Sequence, residues 1–159
     1  MRLAEISDMP FILAVNKNHS VKVQADEIEK KILDRMIDTG FLNPKATHEY
    51  WIFEKQNCPF AYAAVIRCPR PENIPSDVPD WFDIEEIELA GDFNPQQWRY
   101  CLHEIISKYE AGNFIVKLDL TAPNIIKKII YKEGFRKDPT VEFQKNIAHA
   151  GIVVYQRIR

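Results

Sequence analysis

No stretch of this chain approaches the roughly 18 uninterrupted apolar residues that a membrane helix needs. A basic stripe is missing too. Lys and Arg total 21 against 23 Asp and Glu, for a formal net charge of −2, and the signs are mixed along the chain. That balance argues against nucleic acid as a partner. Cysteine is sparse. Cys58, Cys68 and Cys101 are odd in number and contain no CxxC spacing, so they read as reduced thiols and not as a disulfide framework or a metal knuckle. His19, His48, His103 and His149 are scattered, with no HxxxH or HExxH pair, and no metal is expected. Internal repeats and low-complexity segments are absent. The opening residues carry no signal-peptide pattern, so a cytoplasmic protein without a membrane partner is expected.

What is present suits a packed core. The chain has 159 residues, 46% of them apolar, which predicts one domain over 1–159 burying about two-thirds of its unfolded surface. Met1 to Ile6 reads as a short strand. Ser7 or Asp8 can cap a helix with Pro10 in its first turn and Phe11, Ala14 and Val15 on one face. A second helix is expected from Asp26 to Thr39, with Ile28, Ile32 and Met36 in its stripe and Gly40 at its end. His48 to Lys55 and Pro59 to Arg67 form a hairpin across Gln56–Asn57–Cys58. The second of these strands is almost wholly apolar, which places it centrally in a sheet.

Cys68 to Trp81 holds Pro69, Pro71, Pro75 and Pro79 and reads as a stiff surface loop. Phe82 to Leu89 is a fourth strand. From Asn94 to Glu110, Trp98, Cys101, Leu102, Ile105, Ile106 and Tyr109 recur at helical spacing. Cys101 and His103 belong to that helix, the first in its core stripe and the second off it. Two further strands are expected at Asp138 to Lys145 and Gly151 to Arg157.

Between them lies NFIVKLDLTAPNIIKKIIYKEGF, Asn113 to Phe135. It predicts a strand at period two, then a helix with Pro123 in its first turn and Gly134 as the left-handed terminal residue. Within it Asn124, Tyr131, Gly134 and Phe135 resemble the C-terminal motif of the GNAT N-acetyltransferases, written N…lYek.GF. The order of elements over essentially the whole chain is similar to that family as well. The resemblance implies an α/β (α+β) acyl-CoA N-acyltransferase fold: a mixed central sheet of six or seven strands with helices on both faces. Its fourth and fifth strands, near Phe82–Leu89 and Asn113–Leu120, would run parallel and diverge at their C-terminal ends.

The same resemblance implies an acetyl-CoA cofactor in the gap, beside Leu89, Gly91 and Asn124. It implies a Q/R-x-x-G-x-G/A loop that holds the pyrophosphate on bare backbone N–H groups at a helix start. In this chain the corresponding window is Asn94 to Arg99, NPQQWR, and Pro95, Gln97 and Arg99 stand where glycines are expected. Asn94 and Gln97 instead suggest a capping box. Arg99 can compensate as a direct charge on phosphate, with Gln97 beside it. Tyr131 matches the family acid that protonates the departing thiolate, a role that a phenol suits. Glu88 sits where members place a general base for the amine, and Glu86 alternates onto its face.

Two function classes follow. One is a divergent acyltransferase moving an acyl group from acyl-CoA to an amine on a small molecule or protein. The other is a non-catalytic protein of the same fold that binds a protein partner. A looser similarity in overall layout, to small acetyltransferase-like proteins of short-tailed bacteriophages, adds a virion-associated variant of the second class.

Overall fold

The structure, a computed structural model, describes residues 1–16, 47–68, 79–119, 122–137 and 152–158. The expected helix over Asp26 to Thr39, most of the proline loop and the strand expected at Asp138 to Lys145 lie outside the described residues. The described strands are β1 (Arg2–Leu3), β2 (Thr47–Lys55), β3 (Cys58–Cys68), β4 (Trp81–Leu89), β5 (Asn113–Asp119), β6 (Arg136–Lys137) and β7 (Ile152–Arg157). They form one seven-stranded sheet in the order β1-β2-β3-β4-β5-β7-β6. The described helices are α1 (Met9–Val15), α2 (Pro95–Lys108) and α3 (Asn124–Lys132).

The sheet is apolar on both faces. In β2, Trp51 and Phe53 point to one face while Tyr50 and Ile52 point to the other. In β3, Ala61, Ala63 and Val65 oppose Tyr62 and Ala64 in the same way. This two-sided burial is why PFAYAAVIR reads as a continuous apolar run, and β3 is central, paired with both β2 and β4. α2 and α3 cover the first face, through Trp98, Leu102, Ile105, Ile129 and Ile130. Met9, Ile12 and Val15 of α1 pack on the second. Cys101 is buried in the first core, and burial pushes its thiol up to about 12, so it is inert filling.

Several local expectations change in detail. The first strand is only Arg2–Leu3, and Ile6–Asp8 is a single 3₁₀ turn. Asp8 makes no side-chain cap to α1. Its carboxylate instead takes both Nη atoms of Arg2, at 2.7 and 2.8 Å, and the Glu5 N–H at 2.8 Å. Those Arg2 hydrogen bonds hold the Asp8 carboxyl below its usual range. Arg2 also bonds Glu54 and so ties the N-terminal turn to β2. Ala14 faces outward, and Ile12 takes the inner position. The β2–β3 hairpin turns on Gln56 and Asn57, both at positive φ (53° and 62°), the signature of a type I′ turn. Pro123 precedes the first residue of α3 as its N-cap.

α2 and α3 connect strands of the sheet. β4 runs parallel to β5 across α2, and every other adjacent pair in the sheet is antiparallel. The end of α2 is anchored from below. The Tyr109 ring stacks on Phe82 with centroids 4.2 Å apart, and Trp51 Nε1 donates to the Tyr109 hydroxyl at 3.0 Å.

Gly112 immediately precedes β5, and a Cβ there would fall inside van der Waals contact with the Phe82 ring. Gly112→Ala is therefore expected to destabilise the fold by about 1–3 kcal/mol, the usual cost of overpacking a core. Urea unfolding monitored by tryptophan fluorescence measures it.

Candidate functional site

The parallel pairing of β4 and β5 is short. It runs from Trp81↔Asn113 to Ile84↔Val116 and stops, although β4 continues to Leu89 and β5 to Asp119. Each strand stays paired on its outer side. β4 follows β3 as far as Ala61↔Leu89, and β5 follows β7 as far as Asp119↔Ile152. The split coincides with a bulge. Ala64 pairs with Glu86 and Val65 with Ile84, which leaves Glu85 as the extra residue on β4. A bulge bends its strand and sharpens the twist, which turns β4 away from β5.

The gap is a cleft of about 330 Å³. Its walls are β4 from Ile84 to Leu89 and β5 from Val116 to Leu118, with Gly91, Phe93, Trp98, Ala122 and Ile126 around them. Beyond the split the inner backbone groups of the two strands have lost each other as partners. Trp98 Nε1 takes one of them, the Ile87 carbonyl, at 3.2 Å. Gly91 bounds the cleft at φ 90°, a conformation that favours glycine.

Three of the residues singled out from sequence line this cleft: Glu88, Leu89 and Gly91. Glu86 does so too. Gln97, Arg99, Asn124 and Tyr131 are not among its lining residues. Asn124 is the exposed first residue of α3. Tyr131 is 43% exposed and sits edge-on to Tyr155, with ring centroids 5.7 Å apart. The spacing explains its position. In N…lYek.GF, Gly follows Tyr by four residues, whereas Gly134 follows Tyr131 by three. One residue is about 100° of helix. The residue four before Gly134 is Ile130, which is fully buried.

The helix start is capped by Asn94 as the sequence suggests, but by its side chain alone and not as the reciprocal box with Gln97. Asn94 Oδ1 accepts from the N–H groups of Gln96 (3.0 Å) and Gln97 (3.1 Å), and Pro95 has no N–H to offer. The first-turn donors that bind phosphate at bare helix starts are thus already used. Gln97 supplies a backbone donor to this cap. Arg99 is committed elsewhere. Its Nε donates to Glu133 Oε1 at 2.7 Å, and His103 Nδ1 meets Glu133 Oε2 at 3.2 Å. This clamp ties α2 to the end of α3. Burial alone would raise the Glu133 carboxyl, but the hydrogen bonds from Arg99 and His103 outweigh it and hold the group below its ordinary value.

Sequence reasoning missed the clamp, along with Trp98, Lys117 and Ile126 as cleft residues. Trp98 and Ile126 read equally well as core. Lys117, which ion-pairs with Asp83, looked like the exposed side of an alternating strand. Among the described residues, no group of three or more His, Cys, Asp and Glu side chains is placed to hold a metal, and no helix is long and apolar enough to cross a membrane.

A mixed seven-stranded sheet whose central parallel pair splits into a cleft, with helices on both faces, is the GNAT acyl-CoA N-acyltransferase fold. The chain shares it with the ribosomal-protein-alanine N-acetyltransferase of Brucella melitensis, at 14% identity over 99% of this chain and 98% of that one, TM-score 0.64. It shares it also with the ribosomal-protein-S18-alanine N-acetyltransferase of Escherichia coli, at 13% identity over 98% and 90%, TM-score 0.62. A variant spermidine N-acetyltransferase of Vibrio cholerae aligns at 12% identity over 99% and 93%, TM-score 0.57. At such identities the likeness is one of fold. No protein-family model matches the chain, and no curated protein does.

Two outcomes test the helix start and the clamp. Asn94→Ala is expected to lose about 1 kcal/mol of stability, as loss of a cap does, measurable by thermal unfolding. Because the Glu133 pKa is lowered by folding, its contribution is present above the ordinary glutamate pKa and lost as pH falls through the lowered value. Glu133→Gln should therefore be less stable than wild type at neutral pH, and the two melting curves should converge on acidification.

Proposed function

We propose that this protein is an N-acyltransferase that passes an acyl group from an acyl-CoA to an amine. The observation that carries the reading is the split of β4 from β5 after Ile84 and Val116, which opens a cleft between the two strands. An extended, amide-bearing chain such as pantetheine can hydrogen-bond to those edges as a strand would. Leu89 and Gly91 would border it at the β4 end. The amine nitrogen attacks the thioester carbonyl. A C–N bond forms, the C–S bond breaks, and Glu88 on the cleft wall accepts the proton leaving nitrogen.

The departing thiolate also needs a proton. Tyr131, the candidate from sequence, stands outside the cleft lining, and we assign this proton to water entering the open gap. The fold does not choose the acceptor. The neighbours above are named for ribosomal-protein alanine in two cases and for spermidine in the third.

The capped start of α2 shapes the expected donor affinity. With Asn94 occupying the first-turn N–H groups and Arg99 engaged by Glu133, little is left to hold a pyrophosphate there. Affinity should reside in the cleft. The same capping favours a second reading, a non-catalytic binding or structural module of this fold such as a virion-associated phage protein. Calorimetric titration separates the two. In the enzyme reading acetyl-CoA binds in the micromolar range, S-acetylpantetheine binds nearly as well, and salt has little effect. Absence of binding into the millimolar range favours the module.

Glu88→Gln should lower kcat by roughly 10²-fold or more, the usual contribution of a general base. Tyr131→Phe should fall well short of the roughly 10²-fold loss expected for a general acid. Steady-state assay of thiol release measures both, and a fully active Glu88→Gln removes Glu88 from the mechanism.

A further inference from the structure

We infer that Trp98 is a positioning residue for Glu88: its indole N–H pins the peptide group that leads into the proposed base. Trp98 Nε1 donates to the Ile87 carbonyl at 3.2 Å, in a buried contact. That carbonyl belongs to the peptide unit joining Ile87 to Glu88. A peptide unit is planar, so holding its oxygen also constrains the Glu88 nitrogen and Cα. Trp98, Ile87 and Glu88 all line the cleft.

The contact falls where β4 is supported on one side. Its ladder to β5 ends at Ile84, and the bulge at Glu85 follows. From Glu86 to Leu89 its partner among the described strands is β3, with Ile87 opposite Ala63 and Glu88 opposite Tyr62. A strand paired along one edge can tilt about that edge. The indole holds β4 at the residue before Glu88. Trp suits the task, because it is a large apolar side chain whose single polar atom is a donor.

The indole is itself mounted on fixed groups. Trp98 is 7% exposed and shares the first core with Ile87, Leu89 and Leu102. Its backbone N–H donates to the Asn94 carbonyl at 3.0 Å, and the Asn94 side chain holds the two residues before it. Arg99, next in the chain, is tied to Glu133 on α3. Cap, helix turn, indole and β4 peptide form one connected run from Asn94 to Glu88. The first turn of α2, whose donors are spent on Asn94, thereby has a task at the cleft.

Glu88 as base rests on the acyltransferase reading. A merely structural indole would stabilise the fold and leave the chemistry alone. A positioning indole acts on the rate through Glu88, so its loss matters only while Glu88 is present.

The test is a double-substitution cycle on the full chain, with acetyl-CoA as donor and ethylamine as acceptor probe, read as thiol release. Glu88→Gln should lower kcat roughly 10²-fold. Trp98→Phe keeps a ring but no N–H, and should lower kcat about tenfold, within the cost of a ~1 Å misplacement. The KM for acetyl-CoA should stay within about twofold of wild type. The double variant should be no slower than Glu88→Gln alone, whereas independent roles would multiply to roughly 10³-fold. Benzothienylalanine at position 98 replaces the N–H by sulfur at nearly the same volume, and should reproduce the Trp98→Phe rate without its packing loss. In the ligand-free chain that same variant should exchange the amide protons of Ile87 to Leu89 about tenfold faster, while Phe82 to Ile84 keep wild-type rates.

The inference is overturned if the two losses multiply, if the benzothienylalanine variant turns over like wild type, or if its amide exchange is unchanged. A wild type that binds acetyl-CoA but releases no thiol with ethylamine removes Glu88 as base and this inference with it. Failure of the acyltransferase reading looks different: acetyl-CoA does not bind into the millimolar range. Amide exchange then decides alone whether Trp98 holds the peptide.

Discussion

Backbone hydrogen bonding between β4 and β5 is the constraint on which the site depends. Four residue pairs hold the strands together, and then a single extra residue, Glu85, intervenes on β4. A sheet ordinarily continues once it starts, because unpaired N–H and C=O groups inside a protein are costly. Here each strand keeps its outer partner while giving up the inner one, so the fold survives the split. The separation of the inner edges is what makes the cleft.

The two ends of that cleft are treated differently. Along the strands the cleft is bounded by Gly91 at positive φ and carries carboxylates on its wall. The start of α2 is closed by its own side chains. Asn94 satisfies the donors, Pro95 removes one, and Arg99 spans to Glu133 on α3. Trp98, between these regions, spends its indole N–H on a β4 carbonyl that the split released. The start of α2 is thus internally satisfied, while the apolar and carboxylate-lined part of the gap stays open.

The sheet also separates two kinds of environment. The face under α2 and α3 is a continuous apolar core, reaching from Trp51 to Tyr155. The face under α1 carries its own apolar cluster, and there Tyr62 lies opposite Glu88 and Ala64 opposite Glu86. Glu85 sits at the junction.

Much of this was legible in residue order. Hydrophobic period located β2 to β5, α2 and α3 to within a residue or two, because burial on one face or two leaves a direct imprint on spacing. The cap at Asn94 and the left-handed Gly134 were legible too, since both are local backbone chemistry. The position of Tyr131 was not. A motif match missing one residue between Tyr and Gly looks close in sequence but is a large rotation on a helix, and the side chain stands on the surface beside Tyr155. The destination of Arg99 could not be read either, because its partner Glu133 lies 34 residues away on another helix. Nor could the bulge at Glu85, which exists only in the register between two strands. Local propensity is written residue by residue. Which unpaired groups face one another is decided only when distant segments pack, and the cleft is made of such groups.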